Sequence, residues 1–131
     1  MKHSKNKGFT LIELLVVATI ITILSAVGLT SFINSGKSAR DAKRKSDLET
    51  VRQALVLYRS DNGTYPAGAG GAAGYTTAIT ALSAGDYISS PTPADPKNNA
   101  TYYYRYTSNS TTFSLAATLE KDSTTYTLTN P

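Results

Sequence analysis

The stretch Lys7-Gly8-Phe9-Thr10-Leu11-Ile12-Glu13 sets a single carboxylate at the head of the chain's one long apolar run. An ionised side chain at membrane depth is costly on its own, so Glu13 marks a pairing with a task attached. Gly8 leaves the backbone accessible to a protease ahead of Phe9. Other chemistry finds few parts. His3 is the single histidine and lies before Gly8, and there is no cysteine, so neither a thiol nor a disulfide is available. No Gly-x-Ser-x-Gly elbow occurs, and no His/Cys grouping has zinc spacing. Asp86, Asp95 and Asp122 are scattered and read as turn residues. These residues predict a non-enzyme with no catalytic group, no metal site and no cofactor.

The element that positions Glu13 is the apolar run itself. Leu14 to Gly36 carries no charge over 23 residues, about 35 Å of helix at ~1.5 Å per residue, enough to cross a ~30 Å hydrocarbon core. Ser25-Ala26-Val27-Gly28 has the small residues of a signal-peptide cleavage site, but the run continues through Leu29, Phe32 and Ile33. The formal charge of +4 and pI near 9.3 rest mostly on Lys2, Lys5 and Lys7. Without those, ten basic residues face nine acidic ones, and a global nucleic-acid reading loses its support. Basic residues flank the run on both sides, so charge alone does not orient it.

The helical pattern extends beyond the run. Leu48, Val51, Leu55 and Tyr58 fall on one face, widened by Ala54 and Leu57. Arg44, Lys45, Asp47, Glu49, Arg52 and Arg59 lie mainly off it. One helix from about Thr10 to Ser60 is predicted, ended by Asp61-Asn62-Gly63 with Pro66 beyond. Residues 67–75 read as a low-complexity loop with little to bury. Thr76–Leu82 reads as a short helix with Ala78, Ile79 and Leu82 inward. Ser90–Pro96 reads as an extended connector. Three strands follow: Tyr102–Tyr106, then Phe113 to Leu119 in alternation, then Tyr126 with Leu128. Tight spacing makes them an antiparallel meander whose apolar face packs on the Leu48 stripe. Three features carry paired readings. Gly28, Thr30, Ser31 and Gly36 mark either a segment that melts on packing or a close helix–helix approach. Arg40–Lys45 is a solvated helix face or a contact for lipid headgroups or DNA. Tyr102, Tyr103, Tyr104 and Tyr106 beside Arg105 are core residues or stack on bases or sugars.

A short basic leader, the Gly8-Phe9 junction, Glu13 and the apolar run together resemble the precursors of type IV pilins and type II secretion pseudopilins. Residues 46–66, with Ala54-Leu55, Tyr58 and Asp61-Asn62-Gly63-Thr64-Tyr65-Pro66, are similar in wording to major pseudopilins. Asp95-Pro96 ahead of Tyr102-Tyr103-Tyr104 is similar to the loop entering their sheet. The resemblance implies a pilin-like α+β fold, a long helix on a small antiparallel sheet. It implies a leader (1–8), a transmembrane and filament-core helix (9–36), an amphipathic helix (37–62) and a globular head (63–131). A prepilin peptidase would cut between Gly8 and Phe9 and methylate Phe9, and Glu13 would pair with the Phe9 ammonium of a neighbouring subunit. The implied function is a secretion pseudopilus, with a type IV pilus for adhesion, motility or DNA uptake as the alternative. A monomeric membrane-anchored binding module is the reading from another class. Implied partners are further copies of the chain, the assembly platform and minor pseudopilins. The implied place is the bacterial inner membrane, single-pass with a cytoplasmic N-terminus, then an envelope or surface filament. The chain departs from the family at Thr30, where a proline is frequent. It departs again at Phe113–Asp122, where major pseudopilins carry an acidic calcium loop and this chain has only Glu120 and Asp122.

Overall fold

A computed structural model describes residues 8–130. Lys2, His3, Lys5 and Lys7 of the expected leader lie outside the described residues. The longest element is helix α1, Leu11–Asn62, close to the predicted bounds. Gly63, at φ +77°, ends it in the left-handed conformation that glycine adopts without steric cost. The chain divides into two compact units, one up to Gly36 and one from Lys37 onward.

In the first unit the described residues are Gly8, Phe9, Thr10 and the apolar part of α1. Its large side chains, from Phe9 at 82 % to Val16 at 46 %, are exposed in the single chain. This is the one helix among the described residues long and apolar enough to cross a membrane. Its hydroxyls are satisfied locally: Thr19, Thr22 and Thr30 donate to the carbonyls of Val16, Ala18 and Val27 at 2.8–3.0 Å. The helix is continuous through Gly28 and Thr30.

The second unit is an α+β head. Besides its part of α1 it holds β1 (Gly68–Ala69), α2 (Gly71–Ala84), β2 (Arg105–Ser108), β3 (Phe113–Thr118) and β4 (Thr125–Thr129). The four strands form one antiparallel sheet in the order β1-β2-β3-β4. Tyr106 lies opposite Leu115 in the β2–β3 pair, and Leu115 opposite Leu128 in the β3–β4 pair. Leu48, Val51, Ala54 and Leu55 of α1 join Ala78 and Leu82 of α2 and Tyr106, Phe113, Leu115 and Ala117 of the sheet in one buried core. The predicted stripe is thus the helix's inner face, apart from Leu57, which is 57 % exposed, and Tyr58, which is half-buried.

Three expectations need correction. The glycine-rich run 67–75 is structured, forming β1 and the first turn of α2. A side chain on Gly74 would clash with the Tyr106 carbonyl, and one on Gly68 would overlap the Tyr106 ring. Small residues here let α2 and β1 close over β2, a packing signal that mimics low complexity. The second helix therefore starts at Gly71, not Thr76. Finally, β2 starts at Arg105, where pairing with Ala116 begins, and Tyr102–Tyr104 precede the ladder in a bend and irregular backbone. Tyr104 and Tyr106 are core residues whose hydroxyls donate to Asp47 Oδ2 and the Pro66 carbonyl, each at 2.8 Å. Tyr75 sits edge-on to Tyr104 with ring centres 5.3 Å apart. That burial removes half of the expected base- or sugar-stacking set.

Candidate processing and assembly site

Gly8, Phe9 and Thr10 precede the first turn of α1 in non-helical backbone, and all three are exposed. Thr10 caps the helix. Its backbone N–H and hydroxyl donate to Glu13 Oε2 at 2.9 and 2.8 Å, and the Glu13 N–H donates back to the Thr10 hydroxyl at 3.3 Å. Thr-x-x-Glu is a capping box, which satisfies helix-start donors reciprocally. The Thr-x-x-Glu spacing is present in the sequence, but the apolar run that follows obscures it as a cap signal. Glu13 also sits at the positive end of the helix dipole, where a carboxylate is favoured. The cap fixes where the helix begins, and the Gly8–Phe9 peptide bond falls outside it.

A second cluster lies in the head. Arg44 is 0 % exposed, which corrects its assignment to the solvated face of the helix. Its Nε and Nη2 donate to Asp95 Oδ2 and Oδ1 at 2.7 and 2.9 Å, a two-pronged pairing. Its Nη1 meets Asp41 Oδ1 and Glu120 Oε1, both at 2.8 Å. Arg40 donates to both oxygens of Glu120 at 2.8 Å, and Lys97 Nζ lies 2.8 Å from Oε2. Asp41 takes the backbone N–H groups of Glu120 and Lys121 at 2.8 and 3.0 Å. The hydrogen bonds of Arg40, with Lys97 and Arg44 beside it, hold the Glu120 carboxyl well below the usual carboxylate range. Burial pushes Asp95 up, but Arg44 and the N–H groups of Lys97 and Asn98 outweigh it and leave Asp95 below its ordinary value.

The helical spacing Asp41, Arg44, Leu48, Val51, Leu55 was present in the sequence, but charged residues on an inner stripe read as its polar flank. Nothing local joined Arg44 to Asp95 or Glu120, 51 and 76 residues away. Arg40 and Arg44 are thereby tied into the head. Within the expected lipid- or DNA-contacting stretch, Lys45 is exposed and stands 5.4 Å from the Tyr126 ring centre.

The calcium loop implied by the resemblance does not fit these residues. Calcium needs six to eight converging oxygens, and both Glu120 oxygens are held by cations. Asp122 Oδ1 caps its own turn, accepting from the Thr124 N–H and hydroxyl at 3.1 and 2.7 Å. Among the described residues no group of three or more His, Cys, Asp or Glu side chains is arranged to hold a metal.

The chain matches the prokaryotic N-terminal methylation motif over residues 3–29 and type II secretion system (T2SS), protein G over residues 31–126. It is 35 % identical over 66 residues to the type II secretion system core protein G of Pseudomonas aeruginosa, covering 50 % of this chain and 46 % of that protein. The protein of the same description from Escherichia coli K12 is 36 % identical over 62 residues, 47 % and 43 % of the two chains. That of Dickeya chrysanthemi is 27 % identical over 95 residues, 72 % and 54 %. The matched stretches thus span about half the length of these relatives. No solved structure matches the chain.

Proposed function

Because this chain belongs to the type II secretion system protein G family, we propose that it is a structural, non-catalytic subunit of a secretion pseudopilus. A prepilin peptidase cuts between Gly8 and Phe9 and methylates the new amino terminus. The apolar part of α1 first anchors the subunit in the inner membrane, with the N-terminus cytoplasmic, and then bundles with copies of itself in the filament core. Residues 37–62 carry the helix into the head, and the head forms the filament surface. An assembly platform and minor pseudopilins are the partners this role requires.

The observation that carries the reading is the capped, exposed start of an apolar helix whose large side chains find no cover in the single chain. Such a surface needs lipid or neighbouring helices. Glu13 completes the logic: in a bundle, the Phe9 ammonium of an adjacent copy supplies the opposite charge in a poorly hydrated place, where that attraction is strong. The test is electron microscopy with antibody labelling of filaments sheared from cells that overproduce the chain together with its secretion machinery. Labelled filaments along their full length are expected. A chain found only as a membrane monomer would contradict polymerisation and favour an anchored binding module.

A further inference from the structure

Arg44 joins three parts of the head that are remote in sequence. Asp41 lies on α1, Asp95 on the connector between α2 and β2, and Glu120 just after β3. All three carboxylates meet one buried guanidinium, whose five donors in a planar fork suit several acceptors at once. Arg40 and Lys97 complete the set on Glu120, so three cations face three carboxylates. The Tyr102 ring covers the group, with its centre 5.0 Å from the Arg44 guanidinium carbon and 4.8 Å from Lys97 Nζ. No buried side-chain nitrogen or oxygen among the described residues is left without a hydrogen-bond partner. A divalent ion placed here would meet acids already neutralised and would have to displace a guanidinium with no solvent to receive it.

We propose that Arg44 is the head's internal cation, fastening the β3–β4 turn and the α2–β2 connector to α1, so that the head holds its fold without calcium. The acids that a metal would otherwise gather are gathered by a side chain of the chain itself. Breaking a buried pair by removing one partner is far more damaging than losing a surface pair, because the remaining charges stay buried and uncompensated. The inference concerns the head alone and stands whether or not the chain polymerises.

The test is thermal melting of the full chain in detergent micelles, followed by near-ultraviolet circular dichroism of its tyrosines. An ion that binds only the folded state raises the melting temperature with its concentration. The parent chain is expected to melt at the same temperature in excess chelator and in millimolar calcium. Arg44→Met is expected to lower that temperature by about 10 °C or more, since a buried charge group is unpaired in a small domain. Arg52→Met, on a partly exposed flank of α1, is expected to leave it nearly unchanged. Should Arg44→Met fail to fold, Glu120→Gln keeps two of the three acids on Arg44 and is expected to show an intermediate loss, again insensitive to calcium. A chelator-induced fall in the parent, or an Arg44→Met chain that melts like the parent, would overturn the proposal.

Discussion

Thr10 and Glu13 are bound to each other through one oxygen: the Thr10 N–H and hydroxyl both donate to Glu13 Oε2, at 2.9 and 2.8 Å. The carboxylate therefore does local work at the helix start besides any work between subunits. The two roles separate by substitution. Glu13→Gln keeps a carbonyl oxygen for the cap and removes the charge. It is expected to enter the membrane and keep its helix, yet to be incorporated into filaments poorly. Parental filament yield, scored by sedimentation of sheared material, would show that the charge is not needed.

Gly8 is expected to matter for maturation and for nothing in the head. Gly8→Leu places a bulky side chain beside the bond to be cut. The chain should then accumulate as a precursor, larger by the eight-residue leader on a denaturing gel. Normal maturation of this variant would argue against cleavage at Gly8.

Leu55 is 0 % exposed and belongs to the core shared by α1, α2 and the sheet. Leu55→Ala is expected to destabilise the head by about 2–5 kcal/mol, the usual range for deleting a fully buried leucine side chain. Filaments should disappear with the head although the apolar helix is untouched. Arg52, paired with Glu49 on a partly exposed flank of the helix, should tolerate alanine with little change, as surface ion pairs contribute little. Equal losses in denaturant melts of the two variants would refute the packing of α1 on the sheet.

Acid should weaken the head in a definite direction. Glu120 and Asp95 both ionise more readily in the fold than in the unfolded chain. Their contribution is fully present above the unfolded values of about 4 and is lost as pH falls below them toward the folded ones. The exposed Asp122 and the partly exposed Glu49 shift the same way, with solvent screening their effect. Melting temperature is expected to be flat from about pH 6 to 8 and to fall below about pH 5. Arg44→Met should flatten that acid slope in part, because Asp95 loses the cation that lowers it, while Arg40 and Lys97 still hold Glu120 low. A parent more stable at pH 4 than at pH 7 would reverse the assignment.

The parts of this fold that repeat at regular spacing were legible from residues alone. Leu48, Val51 and Leu55 recur at helical spacing, and Phe113, Leu115 and Ala117 alternate, so the inner face of α1 and strand β3 follow from local periodicity. The buried ion cluster was not legible. Its three carboxylates come from distant segments, and Arg44 occupies an inner helical position that hydropathy assigns to an apolar residue. The glycines at 68 and 74 misled for a related reason: what they permit is the approach of Tyr106, whose partner surface lies over thirty positions away. At the N-terminus, Thr10 and Glu13 stand at capping-box spacing, a local signal that the apolar run beside it obscures.

Under the proposed function, this chain is matured at the Gly8–Phe9 bond and then built into a filament through its apolar helix. The most direct test is the mass of the N-terminal peptide of the chain recovered from membranes and from sheared filaments of the same cells. In both fractions the expected peptide begins at Phe9 and carries one added methyl group. A chain that retains residues 1–8 in the filament fraction, or one cut beyond the apolar run, would contradict it.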